Sequence, residues 1–371
     1  KNMHFKHTMK LLWLCFALPL LSLSLHHPYH THRPKNTLTI RTHLKMTIER
    51  GKNDITVAVA GATGYIGKFV VKECLRQGFK TIAISRNGDF SVEGASTVAA
   101  DVTNIEDLEE KVFKREKIDA VISCLASRSG TKSDSYAIDY KATSNCLVAG
   151  RNNGIEHFTL LSAFCVKKPI LQFQKAKLKF EEELVESSKS KDRPISYSIV
   201  RPTAFFKSVS GQLEVVKGGF PFVVFGDGQM CRCNPIAEVD LARYLVNSIT
   251  DPSKNNQILD IGGPDEGYTM SQQGALLAEA CGVKPNIVKA PIGLFDFIIN
   301  SLDWLGKFLP SLEDAAELAR IGKYYAVEDM LTTEPDQKFG SITLKEHYEK
   351  IAKEGQEYDP YTTIFASKPK K

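Results

Sequence analysis

The chain has 371 residues and a formal net charge of +5, and its 43% hydrophobic and 25% charged composition is that of a folded globular protein, which excludes a disordered or fibrous chain. The excess charge lies entirely in residues 1–48, which hold seven Lys and Arg, seven of the nine His and no Asp or Glu; the rest carries 41 basic against 43 acidic residues, so nothing in the charge points to a nucleic-acid partner. The eight cysteines, at 15, 74, 124, 146, 165, 231, 233 and 281, show neither disulfide-framework nor zinc spacing, and reduced thiols with no metal site are expected.

Leu11 to Leu25 is an apolar run preceded by Lys6 and Lys10, shorter than the roughly 20 residues of a membrane span and matching the apolar region of a secretory signal. His26 to Met46 is hydroxylated, basic and acid-free, like a transit peptide. Residues 1–50 are therefore expected to be a cleaved bipartite address, of the kind that reaches a complex plastid through the secretory route. A plain secretory signal, or a region upstream of a start at Met3 or Met9, are the alternatives.

A short strand, Ile55 to Ala60, then runs into Gly61-Ala-Thr-Gly64-Tyr-Ile-Gly67. Pyrophosphate binds to free backbone N–H groups at a helix N-terminus, so the turn must let it come close to the main chain, where side chains at the glycine positions would obstruct it. Gly61 and Gly64 serve that approach, and Gly67 lets the helix pack on the sheet. Ile66, Phe69, Val70, Cys74 and Leu75 follow at helical spacing and Gly78 supplies a cap. Thr63, Tyr65 and Ile66 complete the expected cofactor turn. Nineteen residues past Gly67, after a second strand, stands Arg86 where an NAD site usually has an acid. A guanidinium there favours the 2′-phosphate of NADPH; an ordinary surface arginine is the alternative.

The pattern continues as alternating strands and helices. Strands are expected at Ser96 to Ala100, Ala120 to Ser123, His157 to Leu161, Ser196 to Val200 and Gln257 to Ile261. Helices are expected at Ile105 to Phe113, Ile138 to Asn152 and Phe173 to Ser188. This is an α/β fold with a doubly wound parallel sheet, a Rossmann domain over 54–250, a smaller substrate or lid region over 251–355 and a tail over 356–371. Ligands in such sheets bind outside the carboxyl ends of the strands. Asp101 and Val102, which end the third strand, are placed to hold the adenine ring. Cys124 follows the fourth strand along the cofactor, Ser162 ends the fifth, and Arg201-Pro202-Thr203 ends the sixth.

Ser162 followed by Phe173-Gln-Lys-Ala-Lys177 resembles the atypical short-chain dehydrogenase/reductase superfamily, and the resemblance extends over nearly all of residues 54–350. Its catalytic core is a Ser, a Tyr and a Lys four residues after the Tyr. Here the lysine is present and Phe173 replaces the tyrosine. The resemblance implies that Lys177 holds the nicotinamide ribose. An apolar ring in place of the acid suggests that the reacting group is not a carbonyl, and an alkene fits.

Val121-Ile-Ser-Cys-Leu-Ala-Ser-Arg-Ser-Gly130, Ile138-Asp-Tyr-Lys-Ala-Thr143, Leu161-Ser-Ala163, Phe173 to Glu181, Ser196 to Lys207 and Phe225-Gly-Asp-Gly228 resemble the plastid divinyl chlorophyllide 8-vinyl reductases. That resemblance implies NADPH-dependent reduction of the 8-vinyl group of a divinyl tetrapyrrole to ethyl, in chlorophyll biosynthesis within a plastid. Lys177 is then expected to position the cofactor, with Ser162 and Tyr140 as weaker proton-relay candidates. Phe164, Phe173, Phe205 and Phe206 are candidates to line an apolar slot, and Arg128 and Lys207 to meet the pigment's acid group; core aromatics and surface charges are the alternatives. Gly293 to Leu309 reads as an apolar helix with Asp296, Asn300, Asp303 and Lys307 at helical spacing. Two aspartates on its polar side match anionic lipid poorly, so a lid or a helix packed on the sheet is expected; a peripheral association with thylakoid or envelope is the alternative, because the substrate that the resemblance implies is lipophilic. Two rival functions stay open: another plastid reductase or epimerase of the superfamily, and a non-catalytic NADPH-binding assembly subunit.

Overall fold

The computed structural model describes residues 51–309 and 311–356. The expected leader over 1–50 and the tail beyond 356 lie outside the described residues. Seven strands form one sheet: β1 (Thr56–Ala60), β2 (Lys80–Ser85), β3 (Ser96–Ala99), β4 (Ala120–Ser123), β5 (His157–Leu161), β6 (Ser196–Pro202) and β9 (Gln257–Ile261). Their order is 3-2-1-4-5-6-9 and every pairing is parallel. The chain leaves β1 in opposite directions for β2 and β4, which makes the carboxyl ends of β1 and β4, paired at Ala60 and Ser123, the switch point where a ligand crevice opens.

Parallel strands buried on both faces need apolar residues of both parities, and β1 has them. Val57 and Val59 enter a core with Val70, Val71, Leu241 and Leu245 from the helices Gly67–Arg76 and Glu238–Asn247. Ala58 and Ala60 face the opposite core, with Leu108, Leu147, Phe158, Phe180 and Leu184. The helix Gly67–Arg76 ends where expected. Gly78 takes φ +90°, and Phe79 donates its N–H back to the Cys74 carbonyl at 3.0 Å.

The expected helix over 138–152 is a composite. A turn of α-helix, Lys132–Ser135, passes into a π-helical segment, Tyr136–Ala142, before the α-helix Thr143–Asn152. The π segment adds an extra residue to the turn and re-aims its side chains.

Two small sheets tie the C-terminal part to the body. β7 (Phe222–Phe225) pairs in parallel with β11 (Ile287–Ala290), and β8 (Arg232–Cys233) pairs antiparallel with β10 (Tyr268–Thr269). These pairings cross residue 250 in both directions, and β9 lies beyond it. A third core of Phe206, Phe222, Phe225, Leu277, Phe295, Leu344 and Tyr348 sits under this region. The helices Gly293–Gly306 and Ser311–Tyr325 pack along each other as a hairpin.

Candidate active site

At the end of β1, Gly61 takes φ +77°, and a Cβ there would lie 2.9 Å from the Cys124 carbonyl carbon and oxygen. Gly64 donates its N–H to the Gly61 carbonyl at 2.9 Å, closing the turn, and a Cβ on Gly67 would fall 2.0 Å from that same carbonyl oxygen. The turn is thus built from backbone alone, and its shape is a cradle that only glycines leave open. Thr63 is exposed on the turn and Ile66 is buried beneath it. Tyr65 donates its hydroxyl to Glu238 Oε1 at 2.7 Å, and the same oxygen receives the Lys207 backbone N–H at 3.1 Å.

Of the other expected cofactor residues, Cys124 lies against Gly61, and Arg86, Asp101 and Val102 follow the ends of β2 and β3. Arg86 is exposed one residue past β2. Asp101 accepts the N–H and hydroxyl of Thr103, at 2.9 and 2.7 Å, in a tight turn after β3. Val102 is buried and its carbonyl accepts Asn145 Nδ2 at 3.1 Å, so Asn145 holds the turn after β3. Burial pushes the Cys124 thiol up to about 12, so it stands as a neutral wall beside the cradle rather than a nucleophile.

On the helix Gln172–Ser188, Phe173, Lys177 and Glu181 follow one another at four-residue spacing along one side. Lys177 is buried and its Nζ lies 3.0 Å from Asp139 Oδ1, an acid delivered by the π segment. Asp139 Oδ2 also accepts the Ser127 N–H at 3.3 Å, joining the pair to the loop after β4. Glu181 is held by Arg201 through Nε at 3.1 Å and through a second, shorter bond from the other guanidinium arm. Ser162 donates its hydroxyl to the same carboxylate. A carboxylate so paired accepts only, so the Ser162 proton is committed to Glu181.

Tyr140 does not join this group. Its hydroxyl bonds to Glu183, and burial followed by that carboxylate raises its pKa above the usual phenol value. Lys179 Nζ lies 4.1 Å from the centre of its ring. Of the two neighbours in the π segment, Asp139 reaches Lys177 and Tyr140 turns aside.

Among the expected substrate residues, Phe164 and Phe173 share an apolar cluster with Cys165, Leu171, Ile321, Tyr324 and Met330. The helix Ser311–Tyr325 covers this cluster. Ile321 Cδ1 would lie 2.6 Å from a Cβ on Gly130, Tyr324 donates to the Cys165 carbonyl at 2.9 Å, and Glu317 accepts the Gln172 N–H at 2.8 Å. Arg128 is exposed on the loop beneath. Phe206 is different from the slot residue expected: fully buried, it stacks on His347 with ring centroids 4.7 Å apart in the C-terminal core. Phe205 packs against the sheet core, and Lys207 Nζ sits 4.2 Å over the Tyr65 ring at the cofactor turn.

A doubly wound parallel sheet, a glycine cradle at its switch point and a buried lysine on the helix after β5 define a nicotinamide-dinucleotide-dependent reductase of the Rossmann class. The model of the NAD(P)H-binding family matches residues 61–252. The chain is 48% identical over 330 residues to the divinyl chlorophyllide a 8-vinyl-reductase, chloroplastic, of Cucumis sativus, covering 82% of this chain and 78% of that one. Its likeness to the protein of the same name from Arabidopsis thaliana is 44% over 328 residues, 82% and 79% of the two chains. The chain belongs to the divinyl chlorophyllide a 8-vinyl-reductase family. The UDP-glucose 4-epimerase of Thermotoga maritima shares the fold, with TM-score 0.62 at 16% identity over 81% of this chain and 98% of that one.

Proposed function

We propose that the protein reduces the 8-vinyl group of divinyl chlorophyllide a, or a related divinyl tetrapyrrole, to ethyl with NADPH. The observation that carries this reading is the side of the helix Gln172–Ser188 that faces the strand ends: it offers a phenyl ring, an ammonium tied to Asp139 and a carboxylate tied to Arg201. Among the described residues, that side of the helix offers no free hydroxyl acid for a carbonyl oxygen: Phe173 has none, the Ser162 proton is held by Glu181, and the nearby Tyr324 hydroxyl is bonded to the Cys165 carbonyl.

A vinyl group conjugated to a macrocycle needs no such acid at the moment of hydride transfer, since the ring delocalises the charge; the anion then takes its proton from solvent water at the ring-side carbon. NADPH, when bound, supplies the hydride. The backbone cradle at Gly61, Gly64 and Gly67 suits its pyrophosphate, Arg86 its 2′-phosphate, and Asp101 and Val102 its adenine. Lys177 suits its nicotinamide ribose, with Asp139 fixing the direction of the ammonium. Phe164 and Phe173 keep water from the carbon that accepts hydride and supply a flat apolar wall. Arg128, exposed beside Gly130, is positioned for a carboxylate of the pigment.

The relatives' names place them in chloroplasts, and we assign this protein to a plastid as well. The leader supports entry by the secretory route into a complex plastid. The test of function is incubation of the purified chain with divinyl chlorophyllide and NADPH, read by the pigment's blue absorption band and its mass. A gain of two hydrogens that requires NADPH and is lost in Lys177→Ala supports the reading. NADPH binding without pigment turnover would overturn it in favour of another substrate or a non-catalytic role.

A further inference from the structure

The helix Gly293–Gly306 has an outward face that its own fold leaves bare. Phe295 and Ile299 are buried, Phe295 edge-on to Phe225 with centroids 4.7 Å apart. Phe297, Trp304, Phe308 and Leu309 are 70, 61, 71 and 56% exposed, with Leu294 and Leu305 beside them. Phe297, Trp304 and Phe308 recur at helical spacing, and Trp304 and Phe308 meet edge to face at 5.8 Å. A stripe of large aromatic side chains of this kind is uncommon on a surface that faces only water.

From this arrangement we propose that the face is a docking surface for a lipid bilayer, on which the helix lies flat in the headgroup region. Charge decides the occupant. Read on its own, the helix carries two acids, Asp296 and Asp303, which would be repelled by anionic lipid. In the fold, Asp296 is paired with Lys323 and Asp303 with Arg320, both from the neighbouring helix of the hairpin. The remaining charge of the segment, Lys307, is exposed beside Trp304 and Phe308 and has no acidic partner among the described residues. Arg320 also holds Glu317, and Glu313 and Asp314 stand exposed at the start of the neighbouring helix, Glu313 beside Gly306, so the acids border the helix on its inner side while its outward face carries aromatics and Lys307, the composition of an interfacial helix. A second copy docking face to face about a two-fold axis would instead bring two Lys307 ammoniums into one apolar interface. At 14 residues the helix is about 21 Å long, and no helix of the described residues is long and apolar enough to span a membrane, so the contact is peripheral.

The inner helix of the same hairpin closes the Phe164–Phe173 cluster through Ile321 and Tyr324. The docked face therefore lies on the back of the element that covers the site. Its use in loading pigment from the bilayer rests on the function proposed above, whereas the surface itself does not.

Only two tryptophans occur, Trp13 and Trp304, so the full chain with Trp13→Phe reports on this face alone. In vesicles of phosphatidylcholine and phosphatidylglycerol, Trp304 emission is expected to shift to shorter wavelength and to be quenched by bromine on the acyl chains. Adding Phe297→Glu and Phe308→Glu is expected to abolish both signals while leaving NADPH binding unchanged. Vesicle binding with Trp304 still open to an aqueous quencher would assign the contact to another segment and overturn the proposal. A shift that grows with protein concentration in the absence of lipid would overturn it in favour of self-association. Bilayer insertion by a protein that fails to turn over divinyl pigment would leave the surface standing and remove only the proposed function.

Discussion

Lys177 and Asp139 face each other at 3.0 Å with both side chains buried, one from the helix Gln172–Ser188 and the other from the π segment Tyr136–Ala142. Breaking such a pair leaves a buried charge without compensation, which costs about 3–5 kcal/mol. Asp139→Ala is expected to lose stability on that scale, measured as the free energy of urea unfolding. The double variant Asp139→Leu with Lys177→Met removes both charges and is expected to recover most of the loss. It should not recover reductase activity. Recovery of turnover along with stability would show that the pair only holds the fold.

Ser162 and Tyr140 are expected to be dispensable for the chemical step. The Ser162 hydroxyl is spent on Glu181, and Tyr140 is turned to Glu183. Ser162→Ala and Tyr140→Phe should each keep kcat for divinyl chlorophyllide within about fivefold of the wild-type value, equivalent to about 1 kcal/mol of barrier. A drop of about a hundredfold in either variant would restore that residue as a proton source.

Cofactor choice tests Arg86. It is exposed at the end of β2, as a group that meets a 2′-phosphate must be. A charge-assisted contact contributes roughly 1.5–3 kcal/mol, so Arg86→Ala should weaken NADPH binding by about 10- to 100-fold. NADH binding should change little. Equal weakening of both cofactors, read by titrating nicotinamide fluorescence, would assign Arg86 a structural role.

What was legible in the sequence follows from how local each signal is. The strand, the three glycines and the helix after them lie within a stretch of about 20 residues whose geometry is set by short-range sterics, and the structure builds the turn where the pattern put it. The seven strands of the main sheet were legible for the same reason, as short apolar runs between helical patterns. Asp139 was not, because Ile138 to Asn152 reads as one helix until a π segment redirects its first turns. β7 and β8 were missed too, since each is short and its partner lies far along the chain. The partners of Asp296 and Asp303 were not legible either, because Lys323 and Arg320 sit on a neighbouring helix.

The glycine cradle itself predicts a sharp response. A methyl group on Gly67 would sit 2.0 Å from the Gly61 carbonyl oxygen, which is backbone and cannot swing away as a flexible side chain would. Gly67→Ala must push the turn off the helix and is expected to cost about 3 kcal/mol or more, with NADPH binding lost in the fraction that folds. Gly154, whose Cβ would meet nothing within 4 Å, is the control for simple loss of glycine, although its φ of +82° leaves Gly154→Ala some strain. If Gly67→Ala were no worse than Gly154→Ala, the close approach of helix and turn would not be what holds the cradle.

Acid sensitivity is expected from two buried imidazoles. Burial holds His157 near 3, where it donates to or accepts from Ser196 at 2.7 Å, and burial with nearby Lys350 holds His347 near 4. Both lie below the roughly 6.5 of an unfolded histidine. Below pH 6.5 the unfolded chain therefore takes up protons that the native protein refuses, so stability is complete above that pH and falls as the pH drops. The loss from His347 ends near pH 4 and that from His157 near pH 3. At pH 5 each histidine is worth about 2 kcal/mol of lost stability, 1.5 pH units at about 1.4 kcal/mol each. His347→Asn should reduce the dependence of unfolding free energy on pH between 6 and 5 by about one proton, measured by urea titration across that range. An unchanged slope would mean that His347 titrates normally in the folded protein and that its contact with Phe206 does not exclude water.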